Sequence, residues 1–384
     1  MTKPKLFSSA TASIVFVSLL TILSSCKSVP VSKTGDVTNT HSPQANAPTL
    51  APIELAGSAY SVTGKPVKAI GLPIAGLARR PIPMAAGVVA YSSLKPGSAR
   101  WQVYSFDFTS NTEQRRSFDA GHAEPVGWLH GRLVIASSSE QEKHPSRILD
   151  SYVAKFGTPS TTSTTPPLAS STDLFFDRER ISKDPASSWL LTADLLQKQA
   201  LIVTREKDST TFRVLITQNG NHRVWIPTRP SDNTLPPVQS AAITPDGQSI
   251  IWTFTKEPLV AITTAQGKNT RPLTLKPAPA GPSVGPLLST IDDTIVDSTG
   301  RWLIGSTASQ DSGRNLIAIE IQSGCTTTLT ELPGDESSPA LSADGAWLFF
   351  TLKQGDLYSI SRIPFESPTT GTACEQKNVA NTTF

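Results

Sequence analysis

Ala242-Ile243-Thr244-Pro245-Asp246-Gly247-Gln248-Ser249-Ile250-Ile251-Trp252 reads as a short apolar strand, a tight turn and a second apolar strand. Gly247 supplies the positive φ that such a turn demands, and Asp246 caps it through its short acceptor side chain. The pattern returns at Ile295-Val296-Asp297-Ser298-Thr299-Gly300-Arg301-Trp302-Leu303-Ile304-Gly305 and at Ala340-Leu341-Ser342-Ala343-Asp344-Gly345-Ala346-Trp347-Leu348-Phe349-Phe350. A third strand follows in Asn315 to Ile321 and Asp356 to Ile360, then a threonine-rich fourth in Thr326 to Thr330 and Arg271 to Thr274. Weaker copies centre on Gly87, Gly131 and Lys198-Gln199, so six markers recur roughly every 45–70 residues, the spacing of propellers and arrays.

Further strands are expected at Gly87 to Tyr91, Gln102 to Phe108, Arg132 to Ala136, Ala200 to Thr204, Ser249 to Phe254 and Trp347 to Thr351. Trp189 to Gln199 fits a helix by its leucine spacing, but strand-turn-strand ranks above it. The fold class is therefore all-β: a β-propeller of six four-stranded blades, in which a ring leaves only short, protected edges.

Pro245-Asp246-Gly247, the stretch Pro339 to Gly345 and the closing pairs Leu273-Thr274 and Leu329-Thr330 resemble the propeller repeats of TolB and related periplasmic proteins. Thr299-Gly300 departs from that pattern, standing where the other two copies have Asp-Gly. The resemblance implies that the loop before each first strand lies around the mouth of a central channel. The matching segments are Gly121 to Pro125 and Gly334 to Pro339, which makes His122, Glu124, Asp335 and Glu336 the candidate binding residues. Solvated turn residues are the competing account of these four.

Ahead of the repeats, residues 1–25 have a cationic start at Lys3 and Lys5, an apolar stretch from Ala10 to Leu23 and a small-residue end, the layout of an export signal. The apolar stretch is shorter than the roughly 20 residues a bilayer span needs. Leu23-Ser24-Ser25-Cys26 resembles the lipobox of bacterial lipoproteins, which implies lipidation of Cys26 and cleavage before it. Lys27, in place of Asp after the cysteine, implies outer-membrane sorting in a Gram-negative cell. Residues 26–62 are rich in Ser, Thr, Pro, Ala and Asn and read as a disordered tether, leaving 63–384 for the propeller, with a low-complexity loop at 157–170.

Lys and Arg number 34 against 31 Asp and Glu, and the signal carries Lys3 and Lys5, so the remainder is close to neutral. No electrostatic footprint for nucleic acid results, and the pairs Arg79-Arg80 and Arg115-Arg116 read as solvated surface. Cys325 and Cys374 either form a disulfide, which an exported compartment permits, or stand as two thiols.

Chemistry is sparse. Gly281-Pro282-Ser283-Val284-Gly285 matches a nucleophile elbow by letter, yet Pro-rich sequence precedes it, Pro286 follows it and no histidine lies downstream of His222. Ser92-Ser93-Leu94-Lys95 and Lys33-Thr34-Gly35 occur in the wrong order for a penicillin-binding site. His41, His122, His130, His144 and His222 are scattered, and no phosphate loop occurs. Asp246-Gly247 and Asp344-Gly345 lack the alternating oxygen ligands of a calcium loop and read as turns. The expectation is a lipid-anchored binding scaffold in the cell envelope with a protein partner, no cofactor, no metal, no catalytic residue and no enzymatic activity. A glycan lyase or hydrolase, or a small-ligand carrier, with its site at the channel mouth is the alternative.

Overall fold

The computed structural model describes residues 52–74, 76–85, 87–117, 122–129, 132–137, 173–176, 179–180, 187–193, 199–206, 209–216, 238–264, 270–277, 290–308 and 313–367. Cys26, Cys374, the 157–170 tract, the Gly281 to Gly285 segment and every histidine except His122 lie outside them.

Every regular element among the described residues is a strand. Six antiparallel meanders follow one another along the chain. Sheet I holds Leu77–Ala85, Val88–Leu94, Gln102–Asp107 and Thr112–Arg115. Sheet II holds Ala123–Leu129, Arg132–Ser137, Asp173–Phe176 and Glu179–Arg180. Sheet III holds Ser187–Ala193, Gln199–Glu206 and Ser209–Ile216, so the stretch from Trp189 is a strand, not a helix. Sheet IV holds Val238–Ile243, Ser249–Phe254, Val260–Thr264 and Thr270–Pro272. Sheet V holds Ile291–Val296, Trp302–Ala308, Arg314–Glu320 and Cys325–Thr328, with Lys276–Pro277 added in parallel at its edge. Sheet VI holds Asp335–Leu341, Trp347–Gln354 and Leu357–Pro364.

Five of the six sequence markers fall between the first and second strands of a sheet, and the sixth, Gln199, opens the second strand of sheet III. The turn chemistry explains why. Thr244 Oγ1 donates to Asp246 Oδ1 at 2.6 Å, the same oxygen accepts from Gln248 N at 2.9 Å, and Gly247 turns the chain at φ 67°. Ser342, Asp344 and Gly345 repeat this, with Ser342 Oγ donating to Asp344 Oδ1 at 2.5 Å and Ala346 N at 3.0 Å from that oxygen. In sheet V the two side chains exchange places. Asp297 stands where Thr244 and Ser342 stand, its Oδ1 accepts from Arg301 N and Trp302 N, both at 2.8 Å, and Thr299 Oγ1 donates to its Oδ2 at 2.5 Å. Thr299-Gly300 is thus the same turn with hydroxyl and carboxylate reversed.

Composition assigns residues 26–62 to the tether, and the structure corrects its end. Ile53–Glu54 pairs with Ile70–Gly71, which extends the outer edge of sheet VI beside Ser361 and Arg362. Ser58–Tyr60 pairs with Thr330–Glu331 and with Pro66–Val67. Strands of two or three residues carry no periodicity; they form because sheets V and VI offer them unpaired edges.

The core lies between sheet faces. Trp302, Ile304, Leu316 and Ala318 of sheet V pack with Leu341, Leu348, Phe350, Leu352 and Ile363 of sheet VI, joined by Ala59, Val62 and Ala69. Ala242, Ile251, Val260 and Ile262 of sheet IV meet Ile291, Leu303, Ile317 and Ile319. Val89, Tyr91 and Phe106 of sheet I meet Phe349 and Ile360 of sheet VI. Each Val, Leu, Ile or Phe side chain among them contributes about 1.5–3 kcal/mol by leaving water. The first strands contact one another in the order I, II, III, IV, V, VI, and that of VI contacts that of I. These features make the fold of β-propeller type.

Cys325 is fully buried at the start of its strand and is held in a disulfide whose partner lies outside the described residues.

Candidate functional site

Because the first and second strands of each sheet join at the turn, the start of every first strand lies at the opposite end. There the chain places Arg79 and Arg80 in sheet I, Glu124 in sheet II, Asp292 in sheet V, and Asp335 and Glu336 in sheet VI. Each first strand is also bulged, at Arg79/Ile82, opposite Val134/Ile135, at Leu190/Thr192, Val238/Ser240, Asp292/Ile295 and Ser337/Ala340. A bulge bends a strand and re-aims its side chains. Three bulge residues without glycine's freedom, Arg80, Asp293 and Ser338, take φ of 54°, 49° and 51°. That conformation costs about 1–2 kcal/mol each. Ser338 offsets it by donating from N and Oγ to Asp293 Oδ2, at 3.1 and 3.2 Å, across sheets V and VI.

Polar contacts join five sheets at this end. Gln239 Nε2 of sheet IV donates to Asp292 Oδ1 of sheet V, and Asp292 Oδ2 pairs with Arg314 Nη2. Arg314 N donates to Asp335 Oδ1 at 3.1 Å, and Ser306 Oγ to the Glu336 carbonyl at 2.6 Å, linking V to VI. Arg80 N donates to Thr351 Oγ1 at 2.9 Å, linking VI to I. Arg79 Nη2 lies 2.7 Å from Glu124 Oε1 and Arg80 Nε 3.3 Å from Glu124 Oε2, linking I to II. The Arg79 guanidinium also covers the Trp101 ring at 3.8 Å and faces Tyr358 at 5.9 Å, and those rings meet edge to face at 6.1 Å.

All four residues singled out in the sequence lie at this end, but not as solvated loop residues. Glu124 and Glu336 are 0% exposed and belong to first strands. Glu336 Oε1 accepts from Leu332 N at 3.0 Å, while Oε2 has no partner among the described residues. Burial first, and then the nearby Asp335 and Glu331 charges, push its carboxyl up to about 8 against the backbone N–H it accepts, so it stays protonated at neutral pH. His122 is half-buried just before its strand, and its Nδ1 accepts from Trp101 N at 3.3 Å. Burial first, then the Arg100 charge, lowers its pKa and keeps the imidazole neutral. Asp335 meets sheet V through Arg314 N.

Sequence reasoning missed Arg79, Arg80, Gln239, Asp292 and Arg314, and the reading of Arg79-Arg80 as solvated surface is corrected: Arg79 is buried against Glu124 and Trp101. A signal existed. Counted back from the repeat markers Gly87, Gly131, Gly300 and Gly345, the residues Arg79, Glu124, Asp292 and Glu336 occupy nearly the same place, a charged position inside an apolar strand. Among the described residues no cluster of three or more His, Cys, Asp or Glu side chains is arranged to hold a metal ion.

No protein-family model matches the chain, and no curated protein matches it. Solved structures do. A gluconolactonase from Xanthomonas campestris matches with a TM-score of 0.51 at 12% identity, over 83% of this chain and 99% of that one. A putative TolB from Agrobacterium tumefaciens matches with a TM-score of 0.44 at 10% identity, over 66% and 77%. An oligogalacturonate lyase in complex with manganese matches with a TM-score of 0.44 at 8% identity, over 83% and 98%.

Identities this low speak for the fold alone. They still correct one expectation: the absence of a catalytic motif led to the inference that the chain is not an enzyme, whereas its fold is also that of a gluconolactonase. The reasoning failed because sheets set side by side gather side chains from distant repeats. Arg79, Glu124 and Arg314 reach one end of this fold without sharing any linear motif.

Proposed function

We propose that the chain is a lipid-anchored protein of the cell envelope whose six sheets close into a six-bladed propeller and bind a polypeptide partner at the end opposite the turns. Leu23-Ser24-Ser25-Cys26 after its apolar stretch supports the anchor, and the unbroken succession of first-strand contacts supports six blades. The outer membrane is the site proposed for a Gram-negative cell, and a Cys325–Cys374 bridge is the pairing proposed within the propeller.

The observation that carries the binding reading is the composition of this end. Ionic groups of both signs converge there from four sheets, joined by Gln239 of a fifth, beside the half-buried Tyr358 and a Leu357 that is 67% exposed. Buried ion pairs seldom add net stability over apolar packing, so their concentration at one end favours recognition. Arg, Tyr and Trp beside an apolar anchor are the composition of an interface centre.

Two experiments test it. Labelled palmitate enters the wild type and not Cys26→Ser. A photo-crosslinking side chain at Leu357 captures a polypeptide that the same side chain at exposed Gln248, on a turn, does not; equal capture, or capture at Gln248 alone, defeats the assignment of the binding end.

A second reading has its own observation. His122, neutral and half-buried beside Arg79 and Arg100, has its Nδ1 lone pair taken by Trp101 N and so presents Nε2–H as a donor, which suits the positioning of a glycan or other small substrate at the same end. Glycan turnover that disappears in His122→Ala with folding intact would establish it over the first.

A further inference from the structure

At the turn end of sheets VI and I, Arg362 lies with its guanidinium carbon 4.1 Å from the Trp347 ring and 5.0 Å from the Phe108 ring. Phe349 stacks on Phe108 at 6.1 Å, completing an aromatic wall. Both rings sit beside turns: Trp347 N donates to Ser342 Oγ at 2.9 Å, and Phe108 N to the Gly87 carbonyl at 2.8 Å. This place is therefore remote from the Arg79–Glu124 end.

Arg362 differs from the other arginines packed among the sheets. Arg79 and Arg80 meet Glu124, Arg301 meets Glu320, Arg314 meets Asp292, and Arg115 and Arg116 donate to Gln102 and Ser105. Arg362 has no carboxylate and no hydrogen-bond acceptor among the described residues, and its buried Nε stays without a partner. A guanidinium stacks its faces on rings while its donors point outward in its own plane, so the aromatic wall orients Arg362 without using its hydrogen bonds.

We propose that Arg362, oriented by Trp347 and Phe108, is the anchoring cation of an oxyanion site that takes a phosphate group, either free or carried on a lipid headgroup. A tetrahedral phosphate offers several equivalent oxygens to the two terminal nitrogens, which suits a site with one cation and no second partner to fix orientation. Burial also lowers the Arg362 pKa, as expected of a cation that lacks its counter-charge.

The test uses the full-length chain. Inorganic phosphate is titrated while the Nε–Hε resonance of Arg362 is followed, and binding is compared in Arg362→Met, which keeps the stem over the rings, and Arg362→Lys, which keeps the charge without the planar fork. Expected are a saturable shift in the wild type, at least a tenfold loss of affinity in Arg362→Met and an intermediate loss in Arg362→Lys. Vesicles of phosphatidylglycerol form the second arm. Wild-type binding to vesicles above that of Arg362→Met, with no response to inorganic phosphate, places the phosphate on a lipid; a response to inorganic phosphate alone makes it a free ion. A resonance that moves with neither probe, or variants that bind both as well as the wild type, overturns the proposal. Should Arg362→Met fail to fold, the wild-type resonance alone decides.

Discussion

At the turn end of sheets IV, V and VI one arrangement is built three times: a hydroxyl, a carboxylate and a glycine close the first hairpin, even where Asp297 and Thr299 exchange places. At the opposite end the sheets differ from one another. Sheet I brings a pair of arginines, sheet II a glutamate, sheet V an aspartate, and sheet VI an aspartate beside a protonated glutamate. A repeated device serves what all repeats need, a correct hairpin register. Residues that change from sheet to sheet answer no such common need, which leaves them available for recognition.

The comparison breaks most visibly at Glu124. Glu124→Gln strands Arg79 as a buried, uncompensated charge, so urea unfolding should show a loss of about 3–5 kcal/mol. A loss below about 1 kcal/mol would place the pair among ordinary solvated surface bridges.

Glu336 comes next, and its effect depends on pH. Its carboxyl titrates near pH 8 when folded and near its ordinary value, 4.5, when unfolded. The unfolded chain therefore holds fewer protons through that interval, and stability falls as pH rises, by up to about 1.4 kcal/mol per pH unit, then levels off above pH 8. Glu336→Gln should remove this slope from unfolding curves taken between pH 5 and 8 and should exceed the wild type in stability at pH 9. An unchanged slope would mean that another group carries it.

Smaller effects sharpen the turn side. Asp297→Thr and Thr299→Asp should each cost about 1–2 kcal/mol. Combined, they copy the Thr244–Asp246 order and should recover most of that loss, short only of the Ser367 Oγ hydrogen bond to Asp297 at 3.0 Å. Additive losses in the double variant would show that the two turns are not equivalent. Gly345→Ala, at φ 70°, should cost about 1 kcal/mol and lower the melting temperature by a few degrees.

What was legible in the sequence follows the same division. The hairpins at Gly247, Gly300 and Gly345 stand out because turn chemistry and apolar alternation are local, and the weaker markers at Gly87 and Gln199 follow from the period. Ile53–Glu54 and Ser58–Tyr60 were not legible, since their pairing depends on edges distant in the chain. His122, Glu124, Asp335 and Glu336 could be assigned to one end from their positions ahead of the repeats, but their surroundings could not. Burial of Glu124 depends on Arg79 from a neighbouring sheet, and no local pattern encodes that contact.

The outer edge of sheet VI has a consequence for how the chain is made. Ile70–Gly71 leaves the ribosome early, yet its partners Ser361 and Arg362 are synthesised only after five other sheets. Sheet VI therefore cannot be completed until Leu357–Pro364 has been made, and contacts of such long sequence separation form slowly. A segment of a few residues then acts as a latch that waits for the far end of the chain. Under the export proposed above, a fold that locks only once sheet VI has been made would leave the chain open for crossing until then.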